Sequence, residues 1–411
     1  MNERFTEEGS KSRVMARSLK VVLLAGEESG VLYARRLQQE LCRAAGCEVE
    51  FRGYDTEGFK TGDLAVMGFW PVLKRLGYFL GVAKTMKRVI ATWRPDVVVT
   101  IDYPGLNLKL AAYAKNLGIP AVHVVCPQVW AWHQNRIPKI AAALTKLLCF
   151  FPFEPKLFAQ TGLDAKFIGH PLVDVFASEG TVGTDAAETA RPEKVLALLP
   201  GSRLGEIHRH LPRLVEALDI LAAKTDVSNM EVRVPAANDK AAVEIRRILR
   251  TFGFSSDSSD PSVLRSAKLT LHLQQGRARE LLRSATVAVV ASGTATLEAA
   301  LAQCPTVLVY AVSPLLAWFA RRVITGVHYI GLANVIWEKS GGTGEAPMPE
   351  LLQEAFTPEA VASRLVRWLT DEAARQTARQ RLEEAMALLK SDGNALGLAA
   401  REILSTVPRT L

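Results

Sequence analysis

Two stretches of this sequence place small residues directly ahead of a helix pattern and follow them with a charged side chain. In LALLPGSRLGEIHRHLPRL (196–214), Gly201 loosens the backbone, Ser202 can cap the next helix and Arg203 follows. In VVASGTATLEAALAQCP (289–305), Ser292, Gly293, Thr294 and Ala295 form the turn, and Glu298 lies about one helical turn further. A helix start offers unpaired amides, which with an arginine fork beside them can hold a diphosphate. An acid one turn in can accept hydrogen bonds from ribose hydroxyls. Each stretch also has a plain reading: PGS is a serviceable turn and cap, and the helix dipole favours an early acid with nothing bound. Two such junctions in one half of the chain favour binding of a nucleotide diphosphate.

The other half carries different chemistry. In LLAGEESGVLYARRL (23–37), Glu27 and Glu28 sit where a phosphate cradle would avoid negative charge, so this turn suits sugar hydroxyls. Asp102 ends a strand in TIDYPGLNLKLA; an acid there can act as general base toward an alcohol or simply cap the next helix. CPQVWAWHQNRIPKI (126–140) sets Trp130 and Trp132 among Gln128, His133, Gln134 and Arg136. Aromatics beside polar groups suit a sugar face, though both tryptophans could equally pack between lobes. In FIGHP (167–171), His170 stands at a strand end, either facing the site or serving structure.

The elements that must position these residues are legible as apolar runs. LKVVLLA (19–25), DVVVTID (96–102), IPAVHVV (119–125), KLLCFF (146–151) and AKFIG (165–169) alternate with helical segments. After ASEGTVGTDAAETARPE (177–193) the rhythm restarts with KVLALLP (194–200), MEVRVPA (230–236), AKLTLHL (267–273), TVAVVAS (286–292) and PTVLVYA (305–311). Runs this apolar between helices predict buried parallel strands, so two doubly wound α/β lobes are expected. The expected division is a flexible extension (1–18), a first lobe (19–176), a linker (177–193), a second lobe (194–370) and C-terminal helices (371–411) that could pack back on the first lobe. TFGFSSDSSDPS (251–262) reads as a surface loop, and the chain beyond Pro349 as mainly helical.

Composition bounds the partners. The chain has 411 residues, 49% hydrophobic and 22% charged, which is ordinary for a globular protein. The five cysteines are scattered and odd in number, so a disulfide framework is not expected, and no zinc spacing exceeds His208-Arg-His210. The net charge of +8 is concentrated: residues 60–149 hold twelve Lys/Arg against three Asp/Glu. Within the acid-free gap from Asp63 to Asp96, Phe69 and Trp70 accompany Lys74, Arg75, Lys84, Lys87 and Arg88. Such a stretch suits an anionic membrane or a phosphate-bearing partner, or else a core helix with a basic outer face. Nucleic acid is not expected, because no recognised motif accompanies the charge. No apolar run reaches the roughly 18–20 residues of a membrane span.

Taken in order, AGEESG, LAVMGF, IDYPGLNLKLA, PQVWAW, FPFEP, IGHPLVD, LALLPGSRLGEI, ASGTATLEAALA and LANV (332–335) closely resemble the lipid-A-disaccharide synthase family over about Lys20 to Pro358. The resemblance implies a GT-B architecture, two Rossmann-like lobes across a cleft, with neither metal nor cofactor. It implies UDP-2,3-diacylglucosamine as donor and 2,3-diacylglucosamine 1-phosphate as acceptor, joined β-1,6 with inversion and release of UDP. Ser202, Arg203, the 292–295 turn, Glu298 and Asn334 would then hold UDP, while Glu27, Ser29 and Asp102 would face the reacting sugars, alongside Gln128, Trp130 and His170. Asp102 is the first choice of base and Glu27 the second. The basic, apolar stretch would dock the chain on the cytoplasmic face of an inner membrane, with a homodimer compatible. Three positions depart from the family pattern: Val31 and Gly105 replace family acids, and Ala333 replaces a proline. These departures motivate a non-catalytic lipid- or nucleotide-binding paralogue as an alternative, beside another GT-B enzyme such as a UDP-N-acetylglucosamine epimerase.

Overall fold

Valine, leucine and isoleucine runs flanked by helices become strands buried on both faces, because helices cover each side of a parallel sheet. A computed structural model describes residues 18–26, 28–59, 76–179, 194–323 and 326–408, with the side chains at 28, 29 and 76 excepted. The first sheet is built from β1 (Leu19–Ala25), β2 (Val49–Gly53), β3 (Val97–Ile101), β4 (Ala121–Val124), β5 (Lys146–Cys149) and β6 (Asp164–Phe167). Its order is β2-β1-β3-β4-β5-β6, with every pairing parallel. The accompanying helices are α1 (Glu28–Ala45), α2 (Leu76–Trp93), α3 (Pro104–Asn116), α4 (Ile137–Ala143) and α5 (Pro171–Ser178).

The second sheet comprises β7 (Lys194–Leu199), β8 (Met230–Ala236), β9 (Ser255–Ser256), β10 (Val263–Arg265), β11 (Thr270–Gln275), β12 (Val287–Ala291), β13 (Thr306–Tyr310) and β14 (Glu350–Leu352). Its helices are α6 (Leu204–Lys224), α7 (Asp239–Thr251), α8 (Ala278–Ser284), α9 (Thr294–Leu301), α10 (Pro314–Val323), α11 (Leu332–Lys339), α12 (Pro358–Thr370) and α13 (Glu372–Ala387), with α14 (Ala395–Leu404) last. The order is β14-β13-β12-β7-β8-β11-β10-β9, parallel except at the β9–β10–β11 edge. That antiparallel edge departs from the expected surface loop: Ser255 and Ser256 pair with Arg265 and Leu264, a two-residue strand too short to leave a pattern. β14 likewise interrupts the stretch read as mainly helical, pairing with β13 through Glu350 to Leu352.

In each sheet the strand order reverses once, and ligands of open α/β sheets bind at such points. The reversals fall between β1 and β3 in the first sheet and between β7 and β12 in the second. The lobes share a core: Trp130, Phe153 and Leu172 cluster with Ala197, Ala288, Leu297 and Met386. The chain then returns, and α14 lays Ala399, Ala400 and Ile403 against Leu37 and Leu41 of α1. Lys146 at the start of β5 anchors this return, paired with Asp164 at 3.0 Å and with Glu402 of α14.

Candidate active site

A cavity of about 990 Å³ opens at the carboxyl ends of β12, β7, β8 and β11, astride the second reversal. Both glycine corners reach it: Gly201, Ser202 and Arg203 from one side, Ser292 to Ala295 and Glu298 from the other. The arrangement follows from adjacency, since Val290 pairs with Leu199 and the two strands end side by side. His210 secures the first corner from α6, its Nδ1 2.8 Å from the Pro200 carbonyl and its Nε2 accepting from the Ala311 amide at 3.1 Å.

The two corners differ electrostatically. At the first, Glu206 turns back on its own helix start, accepting from the Ser202 amide at 3.1 Å and the Arg203 amide at 3.3 Å. It also pairs with the Arg203 guanidinium at 3.0 Å. Gly201, at φ 120, makes room for this approach, because a Cβ there would come within 2.6 Å of Glu206 Cβ. The helix begins at Leu204, so Ser202 lies ahead of the N-cap and the cap is supplied by Glu206. At the second corner, Gly293 occupies φ 155, open to glycine alone, and no side chain caps α9. The α9 start lines the cavity through Thr294 and Ala295, bringing the positive end of the helix dipole to it, while the Thr296 amide is bonded to the Gly293 carbonyl at 3.1 Å.

Residues that sequence reasoning passed over complete the wall. Arg277, Arg279 and Arg283 line it from the β11–α8 turn and α8, and Glu179 and Glu280 balance them. Arg279 bonds Glu179 at 2.6 Å and lies 3.6 Å from Glu298; Arg283 lies 3.2 Å from Glu179. Burial raises the Glu298 carboxyl above its ordinary value, with Arg279 opposing and Glu179 adding to the rise. An anion entering here exchanges internal carboxylates for its own charge, at guanidinium groups that are already oriented.

In the first lobe, Asp102 stands at the end of β3, beside the other reversal. Asp102 and Tyr103 both take φ 50, a conformation non-glycine residues rarely adopt. Asn107, fully buried on α3, holds this corner: its Nδ2 donates to the Asp102 carbonyl at 2.8 Å and the Ile101 carbonyl at 3.1 Å. Tyr54 completes the support, its hydroxyl donating to Asn107 Oδ1 at 2.6 Å. Gly26 lets the Tyr103 ring lie against the backbone, since a Cβ would meet Tyr103 Cγ at 2.5 Å. Burial raises the Asp102 carboxyl, offset in part by the Tyr103 amide at 2.8 Å. The Tyr33 hydroxyl of α1 is pushed up to about 12, first by burial and then by the charges of Asp102 and Glu298. One tyrosine thus senses an acid from each lobe.

Other expected site residues lie elsewhere. Asn334 is fully buried and not part of the cavity lining, its amide shared between Met348 and Glu350 at 2.7–2.9 Å, tying α11 to β14. Trp130 is buried; its indole donates to Glu154 at 3.1 Å and its edge meets Phe151 and Phe153. His170 caps α5, Nδ1 accepting from the Leu172 amide at 3.2 Å, and burial lowers its pKa to about 3, so its imidazole is neutral structure. Gln128 is exposed, its carbonyl bonded by the Ala131 amide at 3.1 Å. On α2, Lys84, Lys87 and Arg88 are exposed while Val82, Met86, Val89 and Ile90 are buried, the pattern of a core helix with a basic outer face. Glu27, Phe69, Trp70, Lys74 and Arg75 lie outside the described residues, as does the Ser29 side chain.

Among the described residues one group has metal-ligand composition: Cys126, Cys149 and Glu154, with ligand atoms within 4.8 Å of one another. It is buried in the first lobe, away from the cavity, and burial raises Glu154 to about 8 while Trp130 and the Phe151 amide occupy its oxygens.

Two doubly wound lobes, each with one reversal of strand order, define the GT-B architecture. The UDP-GlcNAc 2-epimerase of Neisseria meningitidis, solved bound to UDP-GlcNAc, shares it at a TM-score of 0.56, 12% identity and coverage of 94% and 99% of the two chains. MurG of Acinetobacter baumannii does so at 0.53 and 15%, with coverage of 94% and 99%. Identities this low establish the fold alone. Sequence is more specific: the model of the Lipid-A-disaccharide synthetase family matches residues 21–402. The Lipid-A-disaccharide synthases of Anaeromyxobacter dehalogenans and Myxococcus xanthus are 32% and 34% identical, covering 94% and 95% of this chain and 97% and 98% of their own. The chain belongs to the lipid-A-disaccharide synthetase family and is a glycosyltransferase.

Proposed function

We propose that the chain transfers the sugar of UDP-2,3-diacylglucosamine to 2,3-diacylglucosamine 1-phosphate, forming a β-1,6 disaccharide and UDP with inversion. The observation that carries this reading is the convergence of an uncapped helix start and four arginines on one cavity at the second reversal. In that reading the α9 amides and Arg203, Arg277, Arg279 and Arg283 receive the diphosphate, and Glu298 accepts from ribose hydroxyls. Asp102 removes the proton from the acceptor 6-hydroxyl as that oxygen attacks the anomeric carbon. UDP departs from the opposite face, its developing charge met by groups already oriented toward it. Asn107 and Tyr54 hold Asp102 in place, and burial raises its basicity. Both substrates are acylated, so the chain works at an anionic membrane surface, on its cytoplasmic side. Among the described residues no helix is long and apolar enough to cross a membrane.

The test is an assay with both acylated sugars in detergent, reading disaccharide and free UDP. One UDP per disaccharide is expected, unchanged by a chelator. Donor turnover without acceptor would favour an epimerase-like reaction, and UDP binding without disaccharide a non-catalytic role.

A further inference from the structure

Large apolar side chains scattered singly over a surface carry no message, but a cluster on one element does. Four of the ten exposed large apolar side chains among the described residues lie on α10 alone: Leu315 at 78% exposure, Leu316 at 51%, Trp318 at 53% and Phe319 at 57%. Only Ala317 of this helix is buried. Leu315, Trp318, Phe319 and Arg322 recur at helical spacing and form one stripe. The Arg322 guanidinium lies 3.9 Å from the Trp318 ring centroid. The helix contains no acid, and Arg321 beside the stripe bonds the exposed Glu354 at 3.1 Å, a surface pair worth little.

Position adds to composition. α10 follows β13, which runs parallel to β12 with Val309 opposite Ala291. The helix therefore begins at the same edge of the sheet as the uncapped α9 corner and the cavity.

We infer that α10 is a membrane-docking element, its Leu315–Trp318–Phe319 face entering the headgroup–acyl boundary of an anionic bilayer while Arg321 and Arg322 meet lipid phosphates. Tryptophan, phenylalanine and leucine on one face with arginine at its border is the composition of an interfacial helix. A cation resting on an exposed indole matches a surface that is apolar below and anionic above. A second copy of the chain fits less well: an ordinary dimer buries ~800 Å² per partner, more than four partly exposed side chains supply. Docking here would turn toward the membrane the same end of the sheet at which the cavity opens. The inference shares with the proposed reaction only the acylated substrate, and its test needs no turnover.

The full chain is sedimented with phosphatidylcholine vesicles, with and without phosphatidylglycerol, in the absence of any sugar. Binding that requires phosphatidylglycerol is expected. The double variant Leu315→Glu with Phe319→Glu should lower partitioning about tenfold or more, since it removes two apolar side chains from the boundary. Its circular dichroism, thermal midpoint and UDP titration should match the parent. Arg322→Glu should reduce the preference for phosphatidylglycerol, and adding Arg321→Glu should reduce it further. Brominated acyl chains should quench part of the tryptophan emission, and Trp318→Phe should abolish most of that quenching while the chain still binds. Undiminished binding by the double variant, or quenching that survives Trp318→Phe, would overturn the inference. So would a lipid-free dimer that the double variant dissociates, because the face would then belong to a second copy. A chain that docks but makes no disaccharide would count against the reaction alone.

Discussion

Asp102 owes its proposed role to three neighbours: Tyr103 in an unusual backbone conformation, Asn107 beneath the corner and Tyr54 behind it. Replacing Asp102 with Asn should lower turnover by about a hundredfold or more while leaving UDP affinity intact, as calorimetry can read. Burial raises the carboxyl, so the acid limb of kcat/KM should have its midpoint above the ordinary value of 3.8, and this limb should vanish in the variant. Gly105, where the family pattern has a second acid, has open space: a Cβ there meets nothing within 4 Å. It lies in the first turn of α3, where the helix dipole favours an acid. Gly105→Asp should therefore fold with an unchanged thermal midpoint and raise turnover several-fold in the disaccharide assay. A fall would show that the added charge disturbs Asp102. Asp102 was legible as a strand-end acid, whereas Asn107 was not, because its value lies in the Leu24, Ile101 and Asp102 carbonyls, which the pairing of β1 with β3 brings together.

At the scale of elements, the two glycine corners have the same sequence grammar and opposite electrostatics. α6 caps itself with Glu206, while α9 begins uncapped at Gly293. Arg203 at the N-cap has no acceptor to offer, so the Ser/Thr-x-x-Glu signature that announces such a cap is missing from the sequence. Any diphosphate at the α6 corner must displace this carboxylate from the Ser202 and Arg203 amides. Glu206→Gln keeps a capping acceptor and removes the charge, so UDP should bind several-fold more tightly in a titration, with little change in thermal midpoint. Weaker binding would mean that the carboxylate itself touches the ligand. Arg277, Arg279 and Arg283 escaped sequence reasoning because arginines at a helix start usually face solvent. Only the parallel order β12-β7-β8-β11 places them across from Glu298.

Over the whole molecule, the shared core makes the lobes mutually dependent. His170 sits at that junction, its amide bonded to the Leu389 carbonyl at 3.1 Å and its ring stacked on Phe151. Its folded pKa of about 3 lies below the ordinary 6.5, so between these values the unfolded chain binds the proton and the folded chain does not. Stability from this histidine is therefore present above pH 6.5 and lost as pH falls toward 3. His170→Asn, which retains a capping oxygen, should flatten the dependence of unfolding free energy on pH across that window, measured by denaturant titration. An unchanged slope would show that the imidazole titrates freely in the folded state.

Local pattern alone determined a good deal. Continuous apolar runs between helices specify buried parallel strands, and small residues at the strand ends mark the corners where ligands approach. Such features depend on neighbours in the chain, so they are written in order along it. Tertiary structure decided the rest. It turned Trp130, His170 and Asn334 inward, because each has a buried partner far off in sequence or across an element boundary. It set Tyr33 within reach of acids from both lobes, and it left α10 bare, because a helix shows its exposed face only once the sheet behind it is built.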